Sequence, residues 1–367
     1  MEILDGLAPE GLFAGRMMGP GGPIVVRVMG GDLEDVTCRD VPTTRDLFEM
    51  EDAARWLAGA DARPVPPGAT PLAPCDLQAV KASGVTFARS MVERVIEERA
   101  GGDASRAEEI RARIGDAVGG RLRDLVPGSA ASAEVKAALQ AEGLWSQYLE
   151  VGIGPDAEIF TKCPPMAAVG WGADIGIHPV SVWNNPEPEV VLAVASDGRI
   201  VGASLGNDVN LRDVEGRSAL LLGKAKDNNA SAAIGPFVRM FDDRWGLDEV
   251  RKTVVRLRVE GEDGFVLDGA SSMSEISRDP ADLVAQALGP HHQYPDGMML
   301  YLGTMFAPTQ DRSAPGQGFT HAPGDRVEIA AEGLGRLVNT VRLATECPPW
   351  TFGSAALMRN LAGRNLI

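Results

Sequence analysis

The sequence predicts an α+β protein whose larger, mainly β part begins near Tyr148. Two observations carry this. From there on, short β-branched runs separated by turn residues recur, at Val190 to Ala195, Ile200 to Leu205, Val254 to Val259, Met298 to Leu302 and Arg326 to Ile329. Between Ser83 and Gly143 the apolar residues instead recur every three or four positions, as in Ile110, Ile114, Val118, Leu122 and Leu125, which is the period of a helix.

Taken in order, Pro23 to Val28 lies between Gly21-Gly22 and Gly30-Gly31 and reads as a strand. Thr44 to Leu57 reads as helical, and Asp61 to Pro74, rich in Pro and Ala, as a linker. This predicts a small N-terminal α/β accessory domain over 1–75 and a catalytic domain over 76–367. Gly119-Gly120 weaken the helical stretch and Pro127-Gly128 end it. The insertion of about 90–145 is then either a packed helical pair or a lid over a site. Pro280 to Leu288 is a later helix.

A chain of 367 residues has room for about two domains. Its apolar fraction of 44% is ordinary, and no stretch approaches the roughly 20 apolar residues of a membrane span, so no membrane partner is expected. Glu2, Asp5 and Glu10 interrupt any apolar start, and Cys38, Cys75, Cys163 and Cys347 are scattered without a CxxC spacing. A cytoplasmic protein with free thiols is expected. A net charge of −16 without a basic stripe excludes nucleic acid as a partner.

The chemistry concentrates between Trp183 and Asp208. Asp197-Gly198 between two β-rich runs signals a two-residue hairpin. That loop places Glu187 opposite Asp208 and Glu189 opposite Gly206, and strand alternation puts the three carboxylates on one face. Pro188 points the other way and suits a strand start or edge. Clustered like charges need a cation, raised pKa values or solvation. Oxygen-only donors favour Mg²⁺, with Mn²⁺ or Ca²⁺ also suitable, whereas a solvated acidic edge is the bland alternative.

Lys224 and Lys226 follow in a polar loop, where a lysine is solvated, binds a carboxylate or moves protons. Thr304, after Met298 to Leu302, is a strand-end hydroxyl. His178, His291, His292 and His321 form no HExxH-type pair and are expected on the surface or in loops. No P-loop or GxGxxG is present, which disfavours NTPases and Rossmann enzymes. The aromatic stretch Thr345 to Phe352 is expected to pack on the core.

These motifs together resemble the fumarylacetoacetate hydrolase superfamily, from about Cys75 to Val341. Glu187-Pro188-Glu189 and Gly206-Asn207-Asp208 match its ExE and GND motifs, which implies Glu187, Glu189 and Asp208 as metal ligands, with Mg²⁺. The run from Ala225-Lys226 to Gly235-Pro236 resembles its lysine segment and selects Lys226 over Lys224. Leu302-Gly303-Thr304 resembles the segment ending in a substrate-binding threonine, and Pro323 to Ile329 with Leu337 to Asn339 the late β segment. The resemblance implies a largely β, mixed roll, commonly a homodimer or a higher homo-oligomer.

Hydrolases of that superfamily carry an early G-x-N-Y-x-x-H-x-x-E stretch. Here it reads Gly84-Val85-Thr86-Phe87 and on through Ser90 to Glu93, so a serine stands where the water-activating histidine would be. Thr86 with Ser90 is similar instead to the 2-keto-3-deoxypentonate dehydratases. That branch implies a small 2-oxo acid substrate, dehydrated through a metal enolate to a 2-oxo semialdehyde. Lys226 and Glu93 are then the acid/base candidates, and Thr304, Ser90, Thr86 and Asn207 the substrate-binding ones. Hydrolysis of a C–C bond in an acylpyruvate-like acid is the alternative, followed by decarboxylation or isomerisation of an oxo acid and by a silent metal-binding subunit.

Overall fold

In a computed structural model, which describes residues 2–110, 125–141, 143 and 145–367, the chain forms two mixed sheets. The strands are β1 (Leu12–Gly19), β2 (Gly22–Met29), β3 (Asp32–Asp35), β4 (Arg63–Pro64), β5 (Thr70–Leu72), β6 (Ala79–Gly84), β7 (Glu158–Cys163) and β8 (Asp174–Ile177). They continue as β9 (Pro188–Val194), β10 (Ile200–Asp208), β11 (Ala232–Met240), β12 (Val254–Glu260), β13 (Val266–Ser272), β14 (Met298–Tyr301), β15 (Arg326–Ala331) and β16 (Gly335–Leu343). The larger sheet runs β4-β3-β2-β1-β11-β10-β9-β14-β6-β7, with β5 on β1. The smaller runs β13-β12-β15-β16-β8. Most pairs are antiparallel; β14 with β6 and β16 with β8 are parallel.

The centre of the large sheet is apolar on both faces because both are covered. In β9, Val190, Leu192 and Val194 enter the core shared with the second sheet, where Val255, Leu257 and Val259 meet them. Val191 and Ala193 enter the opposite core, closed by Leu47, Phe48 and Leu57. A strand buried on both sides reads as a continuous apolar run, and β9 does so from Val190 to Ala195. On β12 one face is solvated, and burial alternates with exposure.

Several local expectations change. Thr44 to Leu57 is two helices, Thr44–Glu49 and Ala53–Gly59, because Thr43 and Asp52 each accept a backbone N–H and start a new helix. Asp61 to Pro74, expected as a linker, carries β4 and β5, which pair with β3 and β1. Through β1 and β11 the sheet runs unbroken from the first 75 residues into the rest. The stretch Thr345 to Phe352 buries Cys347 but leaves Trp350 47% exposed, so it does not pack on the core as expected. The four cysteines are free.

The helical insertion between β6 and β7 begins with the helix Ala88–Ala100 and ends with Ala130–Ala141 and Gln147–Ile153. Met91 and Val95 pack there against Leu139, Leu149 and Ile153. Ile110 is half-buried; Ile114, Val118 and Leu122 lie outside the described residues. No helix among the described residues is long and apolar enough to cross a membrane.

Candidate metal centre and active site

The β9–β10 hairpin builds the acidic face in the expected register, but by a different turn. Ala195 donates to the Arg199 carbonyl (2.9 Å), so Ser196, Asp197 and Gly198 form a three-residue loop with Gly198 at φ +89°. Glycine tolerates that left-handed conformation. A register shift between Ile200 and Gly202 then absorbs one residue, and Gly206 still faces Glu189. The Asp208 N–H donates to the Glu187 carbonyl (3.1 Å). Turn and bulge compensate, which a one-residue slip alone would not do.

One carboxylate oxygen each from Glu187, Glu189 and Asp208 lies within 4.8 Å of the others, and all three residues are buried. Each carboxylate has one outer oxygen tied by a different group. The Gly303 N–H donates to Glu189 Oε2 (2.7 Å), Lys162 Nζ lies 2.8 Å from Asp208 Oδ1, and Arg94 donates to Glu187 Oε1. Lys226 Nζ reaches Glu187 Oε2 and, at 3.1 Å, Asp208 Oδ2. An ammonium therefore sits among the inner oxygens, where a divalent cation would be held. Three hard anionic donors fit Mg²⁺ or a similar ion once Lys226 gives up the inner oxygens of Glu187 and Asp208.

The electrostatics follow from dryness. Burial raises Glu189 well above the usual carboxylate range, and the neighbouring Asp208 and Glu187 push it further. Burial would raise Asp208 too, but Lys162 and Lys226 hold it below its ordinary value. Burial works against the Lys226 ammonium, yet Asp208 and Glu187 keep it protonated. Glu158 on β7 is pushed up to about 7, chiefly by burial and then by Glu215. Gly84, paired with Glu158, makes room for it: a Cβ there would sit 1.9 Å from Glu158 Oε2.

The cavity over these groups is lined by Lys226, Glu93, Ser90 and Thr304, together with Glu158, Arg94 and Asn185. Val85 also lines it, with a φ of 55°. A β-branched side chain in that region is strained, as residues at functional sites often are. Thr86 and Asn207 lie outside this lining. The Thr86 hydroxyl donates to the Leu302 carbonyl (2.7 Å), and Asn207 Oδ1 accepts the Glu187 N–H (3.2 Å), so both brace the loops around the site. The Ser90 hydroxyl donates to the Phe87 carbonyl (2.9 Å) at the first turn of its helix.

Sequence reasoning missed Arg94, Lys162, Glu158 and Arg212. Arg94 joins Glu97 (2.6 Å), Glu215 (2.9 Å) and Glu187 in a buried network. Arg212 closes it on Glu97 (2.6 Å) and approaches Glu93 at 3.6 Å, with its guanidinium 4.2 Å from the Trp183 ring. The adjacency of Arg94 to Glu93 was the one available signal. Of the histidines expected at the surface, His321 is buried instead: its Nδ1 lies 3.1 Å from Asp325 Oδ2, and burial holds its pKa down.

The fold and the site define a mixed-β protein with a three-carboxylate cation centre. The chain belongs to the fumarylacetoacetate (FAA) hydrolase family, whose C-terminal model matches residues 145–342. It is 32% identical over 194 residues to a Haloferax volcanii protein named "Probable 2-keto-3-deoxyxylonate dehydratase" (53% of this chain, 63% of that one). It is 29% identical over 188 residues to 2-dehydro-3-deoxy-D-arabinonate dehydratase of Saccharolobus solfataricus (50% and 58%). The matched region thus spans less than two thirds of either relative. The fold is shared with a 2-keto-3-deoxy-D-arabinonate dehydratase complexed with magnesium and 2,5-dioxopentanoate (TM-score 0.63, 19% identity, 90% of this chain and 98% of that one). It is shared also with the fumarylacetoacetate hydrolase of Exiguobacterium antarcticum (TM-score 0.57, 17% identity, 90% and 99%).

Proposed function

We propose that the protein is a Mg²⁺-dependent hydro-lyase that dehydrates a 2-keto-3-deoxypentonate to its 2-oxo semialdehyde. The observation that carries this reading is Ser90: it stands at the histidine position of the hydrolases, and its hydroxyl is engaged on the Phe87 carbonyl, so the site lacks that water-activating base. The names of the two curated relatives support the same branch. Mn²⁺ or Ca²⁺ would suit the same oxygens.

A divalent cation held by Glu187, Glu189 and Asp208 would polarise the C2 ketone and lower the cost of removing a C3 proton. The residues of the chain do the rest. Thr304, 8% exposed, accepts the Phe306 N–H (3.1 Å), which leaves its O–H to donate to the substrate carboxylate. Glu158, titrating near 7, suits proton exchange at neutral pH, and Lys226 and Glu93 stand on the same cavity wall. Loss of the C4 hydroxyl followed by isomerisation balances as loss of one water. Ser90 contributes to the pocket wall, while Thr86 and Asn207 serve the substrate through the loops they brace.

Four free thiols support a cytoplasmic setting, the family resemblance supports a homodimer, and residues 1–75 serve as an accessory unit that continues the large sheet through β1 on β11. The test is incubation with Mg²⁺ and either 2-keto-3-deoxyxylonate, 2-keto-3-deoxyarabinonate or acetylpyruvate. Semialdehyde from a sugar acid is expected. Pyruvate from acetylpyruvate, with both sugar acids untouched, would sink the reading in favour of C–C hydrolysis. Glu189→Gln should remove metal and activity together, and turnover by a metal-free variant would refute the ligand assignment.

A further inference from the structure

The three outer tethers of the acidic triad come from different parts of the chain. Gly303 follows β14 and Lys162 lies on β7, so Glu189 and Asp208 are held by the sheet that carries them. Glu187 is held by Arg94, which lies midway along the helix Ala88–Ala100, the first element of the helical insertion. Arg94 is itself fixed by Glu97 on its own helix and by Glu215 on the short helix Arg212–Glu215. Its side chain is 13% exposed and those of Glu97, Glu187 and Glu215 are 2%, 6% and 3% exposed.

We propose that Arg94 is a positioning residue that couples docking of the insertion helix to divalent-cation binding. The inference rests on the metal-site part of the function proposed above and not on the identity of the substrate. Arg94 takes Oε1 of Glu187, so Oε2 is turned toward Asp208, where Lys226 contacts both. Without the guanidinium, Glu187 keeps only its contact with Lys226 among the cations named here, and both its oxygens can swing onto that ammonium. The inner oxygen is then no longer presented to a cation, and Glu97 and Glu215 lose a shared counter-ion in a dry setting. The coupling is reciprocal: whatever the docked helix adds to cation affinity, the cation adds to helix docking. A donor to the outer oxygen of a metal ligand is typically worth about 10- to 100-fold in affinity.

The experiment uses Mn²⁺ as probe, with free Mn²⁺ followed by its paramagnetic resonance signal, and amide hydrogen exchange over residues 88–100 measured with and without Mn²⁺. In the wild type Mn²⁺ should slow exchange in that helix. Arg94→Met should weaken Mn²⁺ binding by about 10- to 100-fold and abolish the slowing. Arg94→Lys, which keeps the charge without the guanidinium fork, should recover part of both. Mn²⁺ affinity unchanged in Arg94→Met would overturn the proposal, as would wild-type exchange indifferent to Mn²⁺, a result that needs no variant to fold. A wild type that binds no Mn²⁺ would overturn the metal site itself, and the coupling with it.

Discussion

Glu158 sits half-buried opposite Gly84 within the field of Glu215, and its pKa of about 7 has a consequence for stability. The ordinary value is 4.5, so between pH 4.5 and about 7 the native state binds more protons than the unfolded one. Stability from this group is complete below pH 4.5 and is lost as pH rises through about 7. At 1.36 kcal/mol per pKa unit the difference approaches about 3 kcal/mol. Glu158→Gln should therefore stabilise the protein in EDTA more at pH 8 than at pH 5, as read from urea midpoints, while lowering turnover. Equal effects at the two pH values would contradict the assignment. Glu187, Glu189 and Asp208 were legible in the sequence because 20 residues of one hairpin connect them, and strand period fixes their face. Arg94 and Lys162 were not, because nothing local relates Arg94 to Glu187, 93 residues away, or Lys162 to the Lys226 carbonyl, 64 residues away.

At the scale of elements, the turn between Leu302 and Thr304 is built around Gly303. Its φ is +87°, and a Cβ would lie 2.1 Å from Thr86 Oγ1 and 3.0 Å from the Ser83 carbonyl. Gly303→Ala should cost about 1–3 kcal/mol of stability and weaken Mn²⁺ binding, because the N–H that holds Glu189 moves with the turn. A variant with wild-type thermal midpoint and affinity would show that the turn has slack the structure does not suggest. The hairpin teaches a related lesson. Asp197-Gly198 marked a turn correctly, yet the loop has three residues and a bulge on β10 restores the pairing. The register read from a two-residue loop came out right because the bulge on β10 absorbs the extra loop residue, whereas the turn type depends on backbone dihedrals that the dipeptide alone does not determine. The two helices at Thr44–Glu49 and Ala53–Gly59 were read as one because the break between them rests on the Asp52 cap, with no Gly or Pro to mark it.

For the whole molecule, the mainly β character of the later chain was visible from its runs of Val, Ile and Leu, while the joining of the first strands to the large sheet was not. The β1–β11 pairing links Phe13 with Arg239, and no local pattern reports so distant a partner. The net charge of −16 coexists with a site built from Arg94, Lys162, Lys226 and Arg212. The carboxylates lining the pocket outnumber those cations, so an anionic substrate would need the bound divalent cation to reverse the local charge. The central claim is dehydration by that pocket, and proton NMR of 2-keto-3-deoxyxylonate with the protein and Mg²⁺ in D₂O tests it most directly. The predicted result is accumulation of 2,5-dioxopentanoate carrying solvent deuterium at C4, abolished by EDTA. Persistence of the sugar acid, alongside cleavage of acetylpyruvate to pyruvate under the same conditions, would contradict it.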